Sequence, residues 1–151
     1  QAAPPGSERA SRKLSWAARL HEIGCQISHS DSHRHGAYIL DNTDAAGFAV
    51  PELHHLGVLV LGQRGKLRKL GVDLSDPIFV LQLQSLRLAI ALCHARRDPD
   101  ITGFSLQCAA HRFHVETRAG WSVAYPQSAH LLREEAQAWQ KTPWELALDF
   151  S

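Results

Sequence analysis

The stretch SRKLSWAARLHEIGCQISHSDSHRHGAYILDN, residues 11–42, decides how this chain is read. Its first half follows a helical period. Leu14, Ala17, Ala18, His21 and Gly24/Cys25 recur three and four residues apart, with Ser11 as a cap and Arg12, Lys13 and Arg19 on the wet face. His21 therefore falls on the inward stripe. The histidine-rich segment that follows is a loop feeding a second helix predicted at about 33–42, with Ala37, Tyr38 and Leu40 as apolar contacts. The polar break at 41–47 ends it. Histidine changes charge near neutral pH and serves as metal ligand, acid, base or phosphate contact, so the role of this run decides the function.

Working outward, Pro51 suits the first turn of a third helix, with Glu52 near its positive end. Leu53, Leu56, Val58, Leu59, Val60 and Leu61 make that helix apolar nearly all round, so it should be buried. Asp76-Pro77 starts a fourth, on which Phe79, Leu83, Leu86, Ile90 and Cys93 hold a stripe up to Arg96-Arg97, a length of roughly 30 Å. Beyond Asp98-Pro99-Asp100 the period turns to alternation. Phe104, Leu106 and Cys108 oppose Ser105 and Gln107, and Phe113 and Val115 oppose His114 and Glu116, which predicts two antiparallel strands. A helix over 127–141 and a last strand over 144–150 complete a small ββαβ module. The fold class is α+β: a mainly helical domain over 1–99, then the small module over 100–151.

With 151 residues, 44% of them hydrophobic, the chain can bury one good core or one core plus a small module. Sixteen Lys+Arg against fifteen Asp+Glu leave no general basic coat, so any polyanion site must be a local patch. Cys25, Cys93 and Cys108 are odd in number and far apart, with no CxxC, which argues against a disulfide framework or a cysteine zinc site and for a reducing cytoplasm. Residues 1–13 hold no apolar core of signal-peptide length, and no apolar run reaches the roughly 18 residues a membrane span needs. The absence of methionine and the Ala-Pro-Pro-Gly-Ser opening suggest a C-terminal piece of a longer protein.

Two clusters carry the candidate chemistry. His29, His33 and His35 have the spacing HxxxHxH, which brings imidazoles together, but Arg34 in their midst repels a metal ion and matches phosphate oxygens with a bidentate fork. Arg64, Lys66, Arg68 and Lys69 lie in a stretch with two glycines that reads as a flexible loop. If it converges with the histidine loop, the two form a phosphate-binding groove that weakens steeply with salt. Among the tryptophans, Trp121, Trp139 and Trp144 fall at core-like positions, which leaves little for base stacking.

His21-Glu22, at the end of an amphipathic helix, resembles the His-Asp pair of HD metal sites. Such a site also needs a distant aspartate, expected within the phrase LRLAIAL at 86–92, and Ile90 stands where it should be. An isoleucine cannot coordinate a metal, so the pair is degenerate and His21 is expected to be buried and hydrogen-bonded. No catalytic residue and no metal ligand is assigned to this chain.

Residues 16–24 (WAARLHEIG), Ile27-Ser28-His29-Ser30, residues 33–40 (HRHGAYIL), Asn42, Gly47-Phe48 and Leu86-Arg87-Leu88-Ala89 together resemble the C-terminal half of exopolyphosphatases of the Ppx/GppA family. The resemblance covers about the first hundred residues; the last fifty match only in layout. It implies a helical HD-like domain with a small terminal module, whose family shows a degenerate HD site. It further implies that His29, His33 and His35, with Arg34, touch inorganic polyphosphate, and that the chain helps form a homodimer. The actin-like N-terminal catalytic domains, with their phosphate loops, catalytic glutamate and Mg²⁺, would lie outside this chain, leaving it inactive alone and without a cofactor of its own. The alternatives are a metal-dependent HD-type phosphohydrolase, a guanosine pentaphosphate phosphatase portion, and a nucleotide- or RNA-binding module.

Overall fold

Apolar residues spaced three and four apart through the first ninety positions build four helices, which a computed structural model places within its described residues 7–151. These are α1 (Ser7–Leu20), α2 (Ser32–Asp41), α3 (Val50–Gly62) and α4 (Pro77–Leu92). The Pro-Gly opening at 1–6 lies outside the described residues. α1 begins four residues before the expected Ser11, with Glu8 in its first turn and Arg19 in its last, each on the side the helix dipole favours. α4 is shorter than expected. It stops at Leu92, where Arg96 takes a left-handed conformation (φ 55°) and turns the chain, so its 16 residues span about 24 Å.

After α4 the period of two produces β1 (Ser105–Ala109) and β2 (Arg112–Thr117), antiparallel, with Cys108 opposite Phe113 and Leu106 opposite Val115. Their two-residue turn, Ala110-His111, has positive φ at both positions (48° and 63°), the backbone that matches the twist of a tight hairpin. Then come a short α5 (Trp121–Ala124), not expected from the sequence, α6 (Pro126–Trp139) and β3 (Glu145–Phe150), which lies parallel to β2. The sheet order is β1-β2-β3. The α+β class and the ββαβ layout are as expected.

The chain packs as two units. The first holds the described residues up to Gly65 together with Ile78–Leu86; the second holds Lys66–Pro77 with Arg87–Ser151. In the first, Ala17, Leu40, Leu56, Leu59, Val60 and Leu83 form the buried core. His55 belongs to that core in function: its Nε2 lies 2.8 Å from Gln82 Oε1, Gln82 Nε2 donates to the Ala10 carbonyl, and the ring meets Phe79 edge-on. In the second unit α6 packs on β3, and Phe113 stacks on Trp144 and tilts against Trp139. Trp121, Trp139 and Trp144 are all buried, as their positions suggest.

The stretch with two glycines is not a featureless loop. Leu67 is 2% exposed and opens a 3₁₀ turn over Leu67–Lys69, so an apolar anchor fixes the backbone that carries Arg68 and Lys69. No helix among the described residues is long and apolar enough to cross a membrane.

Candidate functional site

Two glycines position the histidine run. After α1 a 3₁₀ turn, Ile23–Gln26, passes so close to α2 that a Cβ on Gly24 would stand 1.8 Å from the Ser32 carbonyl oxygen and 2.5 Å from the Gly36 nitrogen. A Cβ on Gly36, which faces the same turn, would lie 2.8 Å from the Val60 side chain of α3 and 3.5 Å from the Gly24 nitrogen. Only hydrogen fits at either place, and that close approach fixes where α2 starts.

α2 begins behind Asp31, whose left-handed backbone (φ 53°) turns its carbonyl to accept from the N–H groups of Arg34 (2.8 Å) and His35 (3.1 Å). His33, Arg34 and His35 thus all sit in the first turn of α2, where the helix dipole adds partial positive charge. His29 lies before that turn, exposed, in a bend closed by the Ser30 N–H on Ser28 Oγ.

His33 is the part-buried member. Its Nδ1 is sealed from water and finds no hydrogen-bond partner. Burial pushes its pKa below the ordinary 6.5, the Arg64 guanidinium pushes it further the same way, Asp31 opposes, and Arg34 and His35 add to the depression. Arg64 therefore joins the field of the α2 histidines although thirty positions separate them. Lys66, Arg68 and Lys69 belong to the other unit. The first unit alone brings together His33, Arg34, His35 and Arg64, with the Asp31 carboxylate opposing the cations at His33.

The His21-Glu22 pair is spent on structure at its histidine. His21 is half-buried, its Nδ1 lies 2.6 Å from the Ala18 carbonyl, and its own carbonyl accepts from Gln63 Nε2 at 2.7 Å. Gln63 also donates to Val60, tying the end of α1 to the end of α3. Among the described residues no three His, Cys, Asp or Glu side chains converge as a metal-binding group. The three cysteines are free.

Sequence reasoning missed a buried charged pair. Arg87 Nε donates to Glu135 Oε1 at 2.6 Å, the side chains being 6% and 11% exposed, and the same oxygen accepts the Trp139 indole N–H at 2.8 Å. The signal was present: an arginine inside the apolar run Leu86-Arg87-Leu88, and Glu135 four residues before a tryptophan on α6.

Residues 2–143 match the model of the Ppx/GppA phosphatase family, domain III. A guanosine-5'-triphosphate,3'-diphosphate pyrophosphatase of Photobacterium profundum is 34% identical over 134 residues, 87% of this chain. The proteins of the same name from Pseudoalteromonas translucida and Aeromonas salmonicida are 29% and 30% identical over 90% and 89% of it. The chain spans only 27–28% of the length of these relatives.

Proposed function

The chain belongs to the Ppx/GppA phosphatase family, as its domain III, and from that premise we propose that it holds the phosphate chain of a phosphoanhydride substrate for a hydrolase whose catalytic residues lie on other parts of the protein. The names of its relatives support a hydrolase parent. In this reading the parent is a cytoplasmic, dimeric exopolyphosphatase that releases terminal phosphate from inorganic polyphosphate. The first unit is a degenerate HD-like fold in which His21 has become a structural hydrogen bonder. In the same reading Mg²⁺ belongs to the actin-like N-terminal half of the parent protein.

The observation that carries the reading is the unpaired positive field around His33. The imidazole, at the start of a helix, is made reluctant to protonate first by burial and then by Arg64, with Arg34 and His35 adding and Asp31 opposing, and an anion there relieves the repulsion among these groups. A polyphosphate chain carries about one charge per phosphate and can lay successive oxygens along Arg34, Arg64 and the ring of His35. His29, exposed ahead of the turn, extends the row. Because exposed cations in water bind phosphates through screened attraction, such a row holds a chain loosely enough for it to move.

The test is calorimetric titration of this chain with polyphosphate at low salt. The double variant Arg34→Ala/Arg64→Ala is expected to lose at least about tenfold in affinity and to show a shallower salt dependence, with unchanged thermal stability. Equal affinity in the variant would overturn the assignment.

A second reading replaces polyphosphate by a guanosine nucleotide bearing phosphoanhydrides. It is favoured by the names of the relatives and by Tyr38, which is 66% exposed one helical turn after Arg34, where a base can stack. Tyr38→Ala weakens nucleotide binding and leaves polyphosphate binding intact if this reading holds; loss of neither ligand removes it.

A further inference from the structure

The second unit encloses an open cavity of about 410 Å³ that the phosphate-chain reading does not use. On one side it is lined by the chain leaving α4, with His94 and Arg97; on the other by α5 and the first turn of α6, with Trp121, Tyr125, Gln127 and Ser128. The lining is made for an anion in three respects.

First, α6 is 14 residues long and its hydrogen-bond ladder begins with the Ala129 N–H on the Tyr125 carbonyl. The N–H groups of Gln127 and Ser128 precede that bond, no side chain caps them, and Pro126 has no N–H to add. Second, Ser128 is only 7% exposed and no hydrogen bond satisfies its hydroxyl among the described residues. Ser128 lines the cavity, where its hydroxyl can meet a ligand oxygen. Third, Arg97 brings positive charge to the same cavity, and His94 turns its Nδ1 to the Ala91 carbonyl at 3.1 Å and leaves Nε2 available.

The carboxylate that would oppose an anion there is already engaged. Asp100 accepts from the Thr102 N–H, the Tyr125 hydroxyl and the Arg118 guanidinium, and these hold it ionised far below the usual carboxylate range. Asp98, also in the lining, is exposed, where water screens its charge.

We infer that this cavity is a binding site for a phosphate-class oxyanion, either free inorganic phosphate or the head of a small phosphomonoester. A tetrahedral dianion has enough oxygens to take two helix N–H groups, a hydroxyl and a guanidinium fork at once. The volume leaves room beside Tyr125 for a ring-sized substituent.

Amide NMR titration of the whole chain at low ionic strength tests this, with inorganic phosphate and phenyl phosphate as separate probes. The Gln127 and Ser128 amides are expected to shift and saturate, and both Arg97→Ala and Ser128→Ala to raise the dissociation constant about tenfold. Tighter binding of phenyl phosphate identifies a phosphomonoester site; equal binding identifies one for free phosphate. Amides that do not move, move without saturating, or titrate alike in both variants overturn the site. Because Arg34 and Arg64 belong to the first unit, failure here leaves the polyphosphate reading standing, and its failure leaves this one.

Discussion

Arginine serves opposite ends in the two units. In the first, Arg34 and Arg64 are exposed and disfavour protonation of His33, which Asp31 opposes. In the second, Arg87 is buried against Glu135, whose Oε1 is shared with the Trp139 indole. Burial makes the difference. A guanidinium withdrawn from water needs its counter-charge inside the protein, whereas one left in water can await a ligand's. Loss of Arg87's partner should therefore cost stability, and loss of Arg34 or Arg64 polyphosphate binding.

The largest effect is expected from Glu135→Ala. It takes the Glu135 carboxylate away from the buried Arg87 guanidinium and from the Trp139 N–H, and a loss of about 3–5 kcal/mol is expected in chemical denaturation. A loss below about 1 kcal/mol would mean that water reaches the pair and that the contrast between the units is false. Polyphosphate affinity per folded molecule should not change.

Gly24→Ala comes next. Its Cβ would press on backbone atoms of α2, so the turn or the helix must shift, at a cost of about 1–3 kcal/mol, occasionally more. Because α2 carries His33, Arg34 and His35, this substitution should also weaken polyphosphate binding, which Glu135→Ala should not. A variant that is destabilised yet binds normally would detach the site from the helix start.

The smallest effect is a pH dependence. His33 has a folded pKa below its unfolded value, so unfolding takes up a proton as pH falls. The first unit is then fully stable above about pH 6.5 and loses stability progressively below it, down to the folded pKa. A bound polyanion favours the imidazolium, so affinity should move the other way and rise over the same range. His33→Asn should flatten both slopes in paired denaturation and binding series at about pH 5.5 and 7.5. Slopes that persist in the variant would place the titrating group elsewhere.

Much of this was legible along the chain. The change from a period near 3.6 to a period of two after Asp98 announced helices followed by a small sheet module, and Pro51 and Pro77 marked helix starts to within a residue. The left-handed turns at Arg96 and Ala110-His111 were not legible, since neither arginine nor alanine advertises that backbone. Nor was the role of Gly24. A glycine in a turn usually means backbone freedom, and here it means a neighbour's carbonyl where a methyl would be.

The sequence by itself determined the element types, the buried tryptophans, the family and the placing of three histidines about Arg34, because periodicity and local charge depend on residues close along the chain. Only the tertiary structure decided that Arg64 acts on His33, that Arg87 is sealed against Glu135, and that Ser128 lines a cavity with Arg97. Each depends on distance and on exclusion of water between residues far apart in the chain. Electrostatic energy and desolvation follow spatial separation, which a one-dimensional pattern does not contain.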